Sequence, residues 1–238
     1  MRSSDRTPMS ETCVNRIMPA DSATRRALLA SGTASLPLAS IPELRKRLVA
    51  EGRDPTALGV MRICDEQAVV AAAAMRVAIQ KLRETEQDSS IVAAPRFLGR
   101  TRCASGIARF MKMGVRGLSP ALIPFISLHA VSSVLSLYFG MHGPTYGSSG
   151  NADHLEEGLL AAIAECGRPT SPGCWLVLTG VDPEPVPDDE GNTKTPAQAY
   201  AAAIALSNVA SSNQQIVFDP ASVSSPSAAF PPKTLYDW

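Results

Sequence analysis

A short loop of small residues between two predicted helices carries the side chains best suited to chemistry. The loop runs from Thr145 to Ala152 and follows the turn His142-Gly143-Pro144. Its hydroxyls, on Ser148 and Ser149, are potential nucleophiles, because some enzymes mount a nucleophile on a sharp turn that leads into a helix. A serine nucleophile needs an adjacent base, and the sequence identifies none. We therefore interpret both serines as turn residues that allow the loop to fold.

Histidines and acids near this loop are expected to have structural roles. His154 lies near the N-terminus of the following helix, where the helix dipole disfavours the imidazolium form. His129 lies within a predicted apolar helix and is expected to be a core residue. The acids at the start of the following helix are expected to stabilise its N-terminus: Asp153, Glu156 and Glu157.

The cysteines give no metal or disulfide pattern. Five cysteines are an odd number without C-x-x-C spacing, and the chain has only three histidines. Cys166 lies near the C-terminal end of a helix, where the dipole raises a thiol pKa, and Cys174 opens an apolar strand. We expect no cofactor and no metal. The N-terminus lacks the apolar segment of a secretory signal, which predicts a cytoplasmic protein with reduced thiols.

A long uncharged stretch positions the loop. Between Gly117 and Asn151 the chain has no Lys, Arg, Asp or Glu, although 18% of its residues are charged. Such a run is expected in a core, an interface or a membrane. Its prolines, its serines and His129 argue against a membrane span. The stretch predicts a helix from about Ile126 to Phe139 that ends at Gly140, and a second helix from Asp153 to Cys166.

The remaining periodicities predict an α/β fold. Apolar runs indicate buried strands at Ser90–Ala94 and Cys174–Gly180. Ala197–Leu206 is apolar and Ala-rich, so it fits either a helix or a strand. Further helices are predicted at Pro42–Gly52, Asp65–Glu84 and Gly106–Met113. We expect helices on both faces of a mixed sheet.

Composition divides the chain into three parts. Residues 1–40 are rich in Ser, Thr and Pro and predict a loosely ordered N-terminal arm. Residues 41–206 contain the predicted helices and strands and form the expected domain. Residues 207–238 are rich in Ser and Pro and predict a poorly ordered tail.

The uncharged stretch resembles the segment of β-ketoacyl synthases that leads to their active-site cysteine. The resemblance lies in SPALIPFISLHAVSSVLSLYFGMHGP, with Gly140-Met141-His142-Gly143-Pro144 in the place of the family's G-L-x-G-P. Met61-Arg62 also occupies the place of an Arg-Met motif that precedes the family's Ala-rich helix. The chain departs from the family's pattern at Pro95-Arg96-Phe97-Leu98-Gly99, which replaces a Gly-rich turn. The resemblance implies the N-terminal half of the thiolase-like fold.

The same resemblance implies a chain without the family's catalytic groups. Its nucleophile position falls on Asn151 or Ala152 when counted from Gly143-Pro144, or on Ser149 or Gly150 when aligned on the next helix, and none of these is Cys. The loop is thus a vestigial nucleophile elbow, with no catalytic residue. No H-G-T-G-T-like segment follows Leu206, so both catalytic histidines are missing.

The resemblance therefore implies a non-catalytic subunit like the chain-length factors of fatty acid, polyketide or aryl-polyene biosynthesis. Two alternatives remain, an acyltransferase with a relocated nucleophile and a free-standing binding or scaffold module. Expected partners are a complete ketosynthase or a second copy, with acyl carrier protein as a further partner. Because 22 Lys and Arg balance 22 Asp and Glu, neither nucleic acid nor membrane is expected. The expected interface residues are Ile126, Ser133, Leu137, Gly143 and Pro144.

Overall fold

A mixed sheet of six strands forms the centre of the described part of the chain. The computed structural model describes residues 24–52, 54–82, 87–120, 122–148, 153–186, 188, 196–207 and 215–218. Its strands are β1 (Thr24–Pro37), β2 (Ser90–Pro95), β3 (Thr145–Gly147), β4 (Gly173–Asp182), β5 (Gln198–Ser207) and β6 (Gln215–Phe218). Its helices are α1 (Ile41–Glu51), α2 (Pro55–Ile63), α3 (Glu66–Ile79), α4 (Arg100–Met113), α5 (Leu122–Ile126), α6 (Ala130–Phe139) and α7 (His154–Cys166).

Strand direction brings three strand ends to one edge of the sheet. The strand order is β3-β2-β4-β5-β1-β6. β3 and β4 each pair parallel to β2, whereas β5 pairs antiparallel to both β4 and β1, and β6 pairs antiparallel to β1. The carboxyl ends of β2, β3 and β4 therefore lie along the same edge, where open α/β sheets usually carry their sites.

Helices cover both faces of the sheet, as the sequence predicts. On one face, α1, α2, α3 and α6 pack over a large buried cluster that includes Met75, Ile91 and Val177. On the other face, α7 packs over a smaller cluster that includes Val92 and Leu176. Burial on both faces explains why β2 and β4 are continuously apolar, and both predicted strands are confirmed.

Small residues allow α3 to lie close to the sheet. The helix is buried on nearly every side, and the small side chains of its alanines allow it to pack closely against β1 and β5. At Gly32 of β1, a Cβ atom would lie 2.2 Å from the carbonyl oxygen of Ala74. Only glycine fits there. The N-cap predicted at Asp65 is confirmed, because its carboxylate accepts a hydrogen bond of 2.9 Å from the Gln67 amide.

The sheet extends beyond the predicted domain at both ends. Residues 24–37, predicted within a loosely ordered arm, form the long strand β1. Its core-facing residues, such as Ala30 and Gly32, alternate with exposed polar ones, such as Ser31 and Thr33, so the pattern has period two with weak apolar contrast. Residues 215–218, within the predicted tail, form β6 against β1. The boundaries at 41 and 206 therefore do not limit the sheet, and residues 1–23 and 219–238 lie outside the described residues.

Tertiary contacts decide the structure of two other segments whose state the sequence left open or predicted differently. Ala197–Leu206, which fits either state by sequence, is a strand because β5 pairs with β4 on one side and β1 on the other. The helix predicted from Ile126 to Phe139 begins later, at Ala130, as α6, and residues 127–129 separate it from the short helix α5. The predicted end at Gly140 is confirmed, and this glycine adopts the left-handed conformation with φ 65°.

Candidate functional site

The predicted loop begins where β3 ends. Ser148 follows β3 directly, and its amide donates a hydrogen bond of 2.8 Å to the Ala93 carbonyl of β2. Ser148 is half-buried at the carboxyl edge of the sheet. The four positions of the vestigial elbow, Ser149, Gly150, Asn151 and Ala152, lie outside the described residues.

The interruption between α5 and α6 accommodates β3. A Cβ atom at Gly147 would lie 2.2 Å from the Leu128 carbonyl oxygen, so β3 and residues 128–129 are in backbone contact. His129 is exposed at the N-cap of α6 rather than buried within a helix, which corrects its predicted core position. Its Nε2 lies 3.3 Å from Oγ1 of Thr145. The histidine therefore links α6 to the first residue of β3.

On the other side of the loop, α7 begins with a buried histidine. His154 is only 3% exposed and is the first residue of the helix. The Glu156 and Glu157 side chains are exposed in the first turn, where carboxylates stabilise the positive end of the helix dipole. A Cβ atom at Gly158 would lie 2.5 Å from Cβ of Ala94, which places α7 directly on β2.

A cavity of about 360 Å³ lies beside β3 and beneath α7. Tyr146 and Gly147 of β3 form one wall, and Ala161 and Glu165 of α7 form another. The Glu165 side chain is nearly buried and accepts a hydrogen bond of 3.3 Å from Arg168, which also donates to the Tyr146 hydroxyl at 2.9 Å. The charged groups are thus neutralised by one another, and the rest of the lining is mainly small and apolar.

Three of the four described cysteines, Cys64, Cys166 and Cys174, are buried and lack the properties of nucleophiles. Burial raises the pKa of Cys64 to about 11. The nearby Arg45 guanidinium lowers this pKa, but by less than burial raises it. Cys166 and Cys174 are buried together in the smaller core cluster, and a hydrogen bond between their side chains together with burial raises the pKa of Cys174. Because the thiolate is the reactive form, these buried thiols are inert at neutral pH.

A network of arginines occupies the carboxyl ends of β2 and β4. Arg96 lies 3.9 Å from Asp182, and Arg100 pairs with Glu184. The two guanidinium groups lie 5.1 and 4.3 Å from the ring centroid of Phe97, which has φ 54°. This arrangement lies in the segment that replaces the Gly-rich turn of ketosynthases. The replacement of that turn is the feature of the sequence that could have indicated the arrangement.

Buried polar groups brace this network. The amide of Gln67 donates to the Arg96 carbonyl at 2.8 Å and accepts from the Thr179 hydroxyl at 2.8 Å. Beside it a cavity of about 200 Å³ is lined by Asp65, Gln67 and Arg100 among others. Burial, aided by the neighbouring charge of Glu66, raises the pKa of Asp65 to about 7. Since the arginines already have carboxylate neighbours, the cluster supports the loops rather than offering free charge for chemistry.

The predicted interface residues lie on two neighbouring parts of the fold. Ser133 is half-buried and Leu137 is 44% exposed on α6, whereas Ile126 ends α5 and packs against Gly99. Gly143 has an internal reason for its identity, because a Cβ atom there would lie 2.3 Å from the Ser89 carbonyl oxygen. Pro144 is exposed beside it. The interface itself stays a prediction.

The uncharged stretch is buried only in part. Val131, Val134 and Leu135 belong to the larger core, but Leu118 and Ile123 are exposed.

None of the helices in the described ranges is long and apolar enough to cross a membrane. Among the described residues, no group of three or more His, Cys, Asp or Glu side chains is placed to hold a metal ion.

Helices cover both faces of this mixed sheet, and β3 and α7 flank the loop at its edge, as expected for the thiolase-like fold that the sequence resemblance implies. No family model and no curated protein matches the sequence. Solved structures do match. A ketosynthase, ApeO, in complex with its chain length factor, ApeC, from Xenorhabdus doucetiae is 14% identical with a TM-score of 0.52, covering 78% of this chain and 80% of that chain.

Two further structures extend the similarity. The ishigamide ketosynthase/chain length factor is 12% identical with a TM-score of 0.52, covering 80% of this chain and 64% of that chain. The AntDE:AntF complex, a type II polyketide synthase acyl-carrier protein with its ketosynthase, is 12% identical with a TM-score of 0.55, covering 78% and 63%. This chain therefore spans less than two thirds of either of these two chains. The similarities confirm the ketosynthase-like fold predicted from the sequence.

Proposed function

We propose that this chain is a non-catalytic, chain-length-factor-like subunit that pairs with a complete ketosynthase in fatty acid, polyketide or aryl-polyene biosynthesis. The observation that carries the proposal is a ketosynthase-like fold without a cysteine at the elbow. The chain has no Cys between Cys103 and Cys166, a range that includes the whole loop. A decarboxylative condensation needs a thiolate to carry the acyl group and donors to stabilise the developing charge.

Three further cysteines support the same proposal. Cys64, Cys166 and Cys174 are buried, and a buried thiol does not reach an acyl donor. A nucleophile relocated to one of them would need both exposure and a lower pKa. The shifts at Cys64 and Cys174 go in the opposite direction.

Pairing is the second part of the proposal. The similar structures are described as a ketosynthase with a chain length factor or with an acyl-carrier protein, and we propose corresponding partners for this chain. The proposed contact contains Ile126, Ser133, Leu137, Gly143 and Pro144. Leu137 is its best-placed anchor, because an exposed leucine on α6 leaves apolar area that a partner would remove from water.

The test is co-expression with the complete ketosynthase encoded nearest to this chain, followed by size-exclusion chromatography with light scattering. We expect a stable complex in the wild type. Leu137→Asp should weaken it at least about tenfold, since a carboxylate would be desolvated in the contact. Its matched control is Val77→Asp on α3, another partly exposed aliphatic residue on a helix, which should leave the complex intact.

The opposite results would reject this contact. A wild-type chain that stays monomeric at micromolar concentration in the presence of the ketosynthase would support the free-standing scaffold module instead. A complex that Leu137→Asp does not weaken would place the partner on another surface. Thermal unfolding of each variant separates lost pairing from lost folding.

A further inference from the structure

A helical hairpin projects from the body of the fold. It comprises α4, the 3₁₀ turn Gly114–Gly117 and α5, and we call it the 100–126 hairpin. α4 packs mainly on the turn and on α5, and none of its described residues belongs to either large core cluster. Glycines bring the two limbs together: a Cβ atom at Gly106 would lie 3.0 Å from the Leu122 side chain, and one at Gly117 would lie 2.5 Å from the Arg109 carbonyl oxygen.

Large apolar side chains of this hairpin are exposed. Ile107 and Met111 are one turn apart on α4, so they lie on one face, and both are exposed. Met111 and Val115 are each 78% exposed, and Ile123 on α5 is 71% exposed. Further exposed apolar residues of the hairpin are Phe110, Met113 and Leu118. Exposed apolar side chains in this number on one short segment mark a site that binds a protein or a membrane.

The charge around these side chains is of one sign. No Asp or Glu occurs between Asp88 and Asp153, whereas six Lys and Arg residues do: Arg96, Arg100, Arg102, Arg109, Lys112 and Arg116. The first three lie near carboxylates of other segments. For the last three, no carboxylate of the described residues lies within ion-pair distance, and all three are exposed. The hairpin thus combines exposed apolar groups with uncompensated positive charge.

We propose that the 100–126 hairpin docks on the surface of an anionic lipid bilayer. Exposed Met, Ile and Val side chains flanked by Lys and Arg are typical of segments that lie at a lipid interface. The apolar tips would enter the acyl boundary while Arg109, Lys112 and Arg116 meet lipid phosphates. A projecting turn such as the one holding Val115 enters a fluid interface without needing a complementary groove, which a protein partner would have to supply.

This inference departs from the expectation of no membrane partner, which rested on the equal numbers of acidic and basic residues. Equal totals conceal the segregation of charge along the chain. The inference concerns peripheral docking alone. It needs no second subunit, although Ile126 at the end of the hairpin also belongs to the proposed ketosynthase contact.

The test is co-sedimentation of the purified full chain with vesicles. We expect binding to phosphatidylcholine vesicles that contain about one third phosphatidylglycerol, and at least about tenfold weaker binding to phosphatidylcholine alone. The triple variant Arg109→Gln, Lys112→Gln, Arg116→Gln should bind about 100-fold more weakly, since each basic residue near such a surface contributes a factor of about five. Met111→Asp with Val115→Asp should also abolish binding, through loss of the apolar contact.

Matched controls lie outside the hairpin. Val186→Asp changes an aliphatic residue that is 77% exposed, and it should leave vesicle binding unchanged. The triple variant Lys46→Gln, Arg47→Gln, Arg62→Gln removes the same charge from exposed positions on α1 and α2 and should reduce binding several-fold less than the hairpin triple. Because all these side chains are exposed, the variants are expected to fold.

Three outcomes would overturn the proposal. One is no binding to the anionic vesicles at physiological salt. Another is binding that neither hairpin variant weakens. A third is an absence of vesicle binding together with binding of acidic acyl carrier protein that the hairpin triple abolishes, which would assign the surface to a protein.

Discussion

At the scale of single residues, Asp65 combines a structural contact with an unusual titration. Its carboxyl is buried at the first turn of α3, where it caps the helix through the Gln67 amide. Burial disfavours the charged form and raises its pKa from 3.8 to about 7, while Arg102, with Nε 3.9 Å from the carboxylate, opposes the shift. The folded chain therefore holds the proton more tightly than the unfolded chain.

This titration predicts a pH dependence of stability. The folded-state pKa lies above the unfolded value, so the contribution of Asp65 is full below about pH 4 and is lost as the pH rises to about 7. Asp65→Asn should remove this part of the slope, because the amide still caps the helix but does not ionise. Urea unfolding at about pH 5 and about pH 8 measures both proteins.

The exposed N-cap of α2 supplies the control. Asp54→Asn removes the same charge from a cap whose carboxylate bonds the Thr56 amide at 2.7 Å in an exposed setting. It should leave the pH slope close to that of the wild type. Equal slopes for the wild type and Asp65→Asn would show that the buried carboxyl does not titrate in this range.

Individual residues of the site were predictable to different extents. The absence of Cys from the loop follows from the sequence alone. Asp65 was recognised as a cap, but no local pattern indicates its burial or the approach of Arg102 from α4. His129 was misplaced because an apolar, uncharged run suggests one continuous helix. The interruption at residues 127–129 depends on contact with Gly147, which is distant in sequence.

At the scale of elements, α7 and its contact with β2 position the elbow. Gly158 lies on the face of α7 that meets the sheet, and Ala94 and Leu178 approach it. Strand pairing and helix packing together fix the end of β3 and the start of α7, which flank residues 149–152. The periodicity predicted α7 well, since its start and its end at Gly167 are those expected.

Gly158→Ala is predicted to disturb this contact. The added Cβ would lie 2.5 Å from Cβ of Ala94, so the helix must move outward, at a cost of about 1–3 kcal/mol of unfolding free energy. The matched control is Gly59→Ala in α2, where nothing lies within 4 Å of the added atom. That variant should be neutral or up to about 1 kcal/mol more stable, because alanine favours a helix. Urea denaturation compares them, and equal stabilities would contradict the close packing.

The strands show which elements a single sequence predicts. β2 and β4 were identifiable because burial on both faces makes them continuously apolar. β1 was missed because Ser and Thr occupy its open face and Ala and Gly much of its core face, leaving little apolar contrast. β5 was ambiguous for a related reason, since alanine fits helices and strands alike, and only pairing on both sides decides its state.

At the scale of the whole molecule, the chain has the ketosynthase-like fold, and we assign partners to two exposed apolar surfaces of its described part. One is the exposed part of α6, where we propose the ketosynthase contact, and the other is the 100–126 hairpin. The sequence predicted the fold through one segment with specific motifs, Leu118–Leu160. The separation of charge was also present in the sequence, but its meaning required the structure to show that Arg109, Lys112 and Arg116 lie beside exposed apolar groups.

The most direct measurement of the central proposal is intact-mass spectrometry of this chain together with its ketosynthase after incubation with an acyl-carrier-protein donor. Our account predicts a stable pair in which the acyl group is added to the ketosynthase alone, because only that subunit supplies a thiolate. An acyl adduct on this chain would contradict the account. If the adduct disappeared in Ser149→Ala, it would assign the chain to enzymes with a relocated nucleophile.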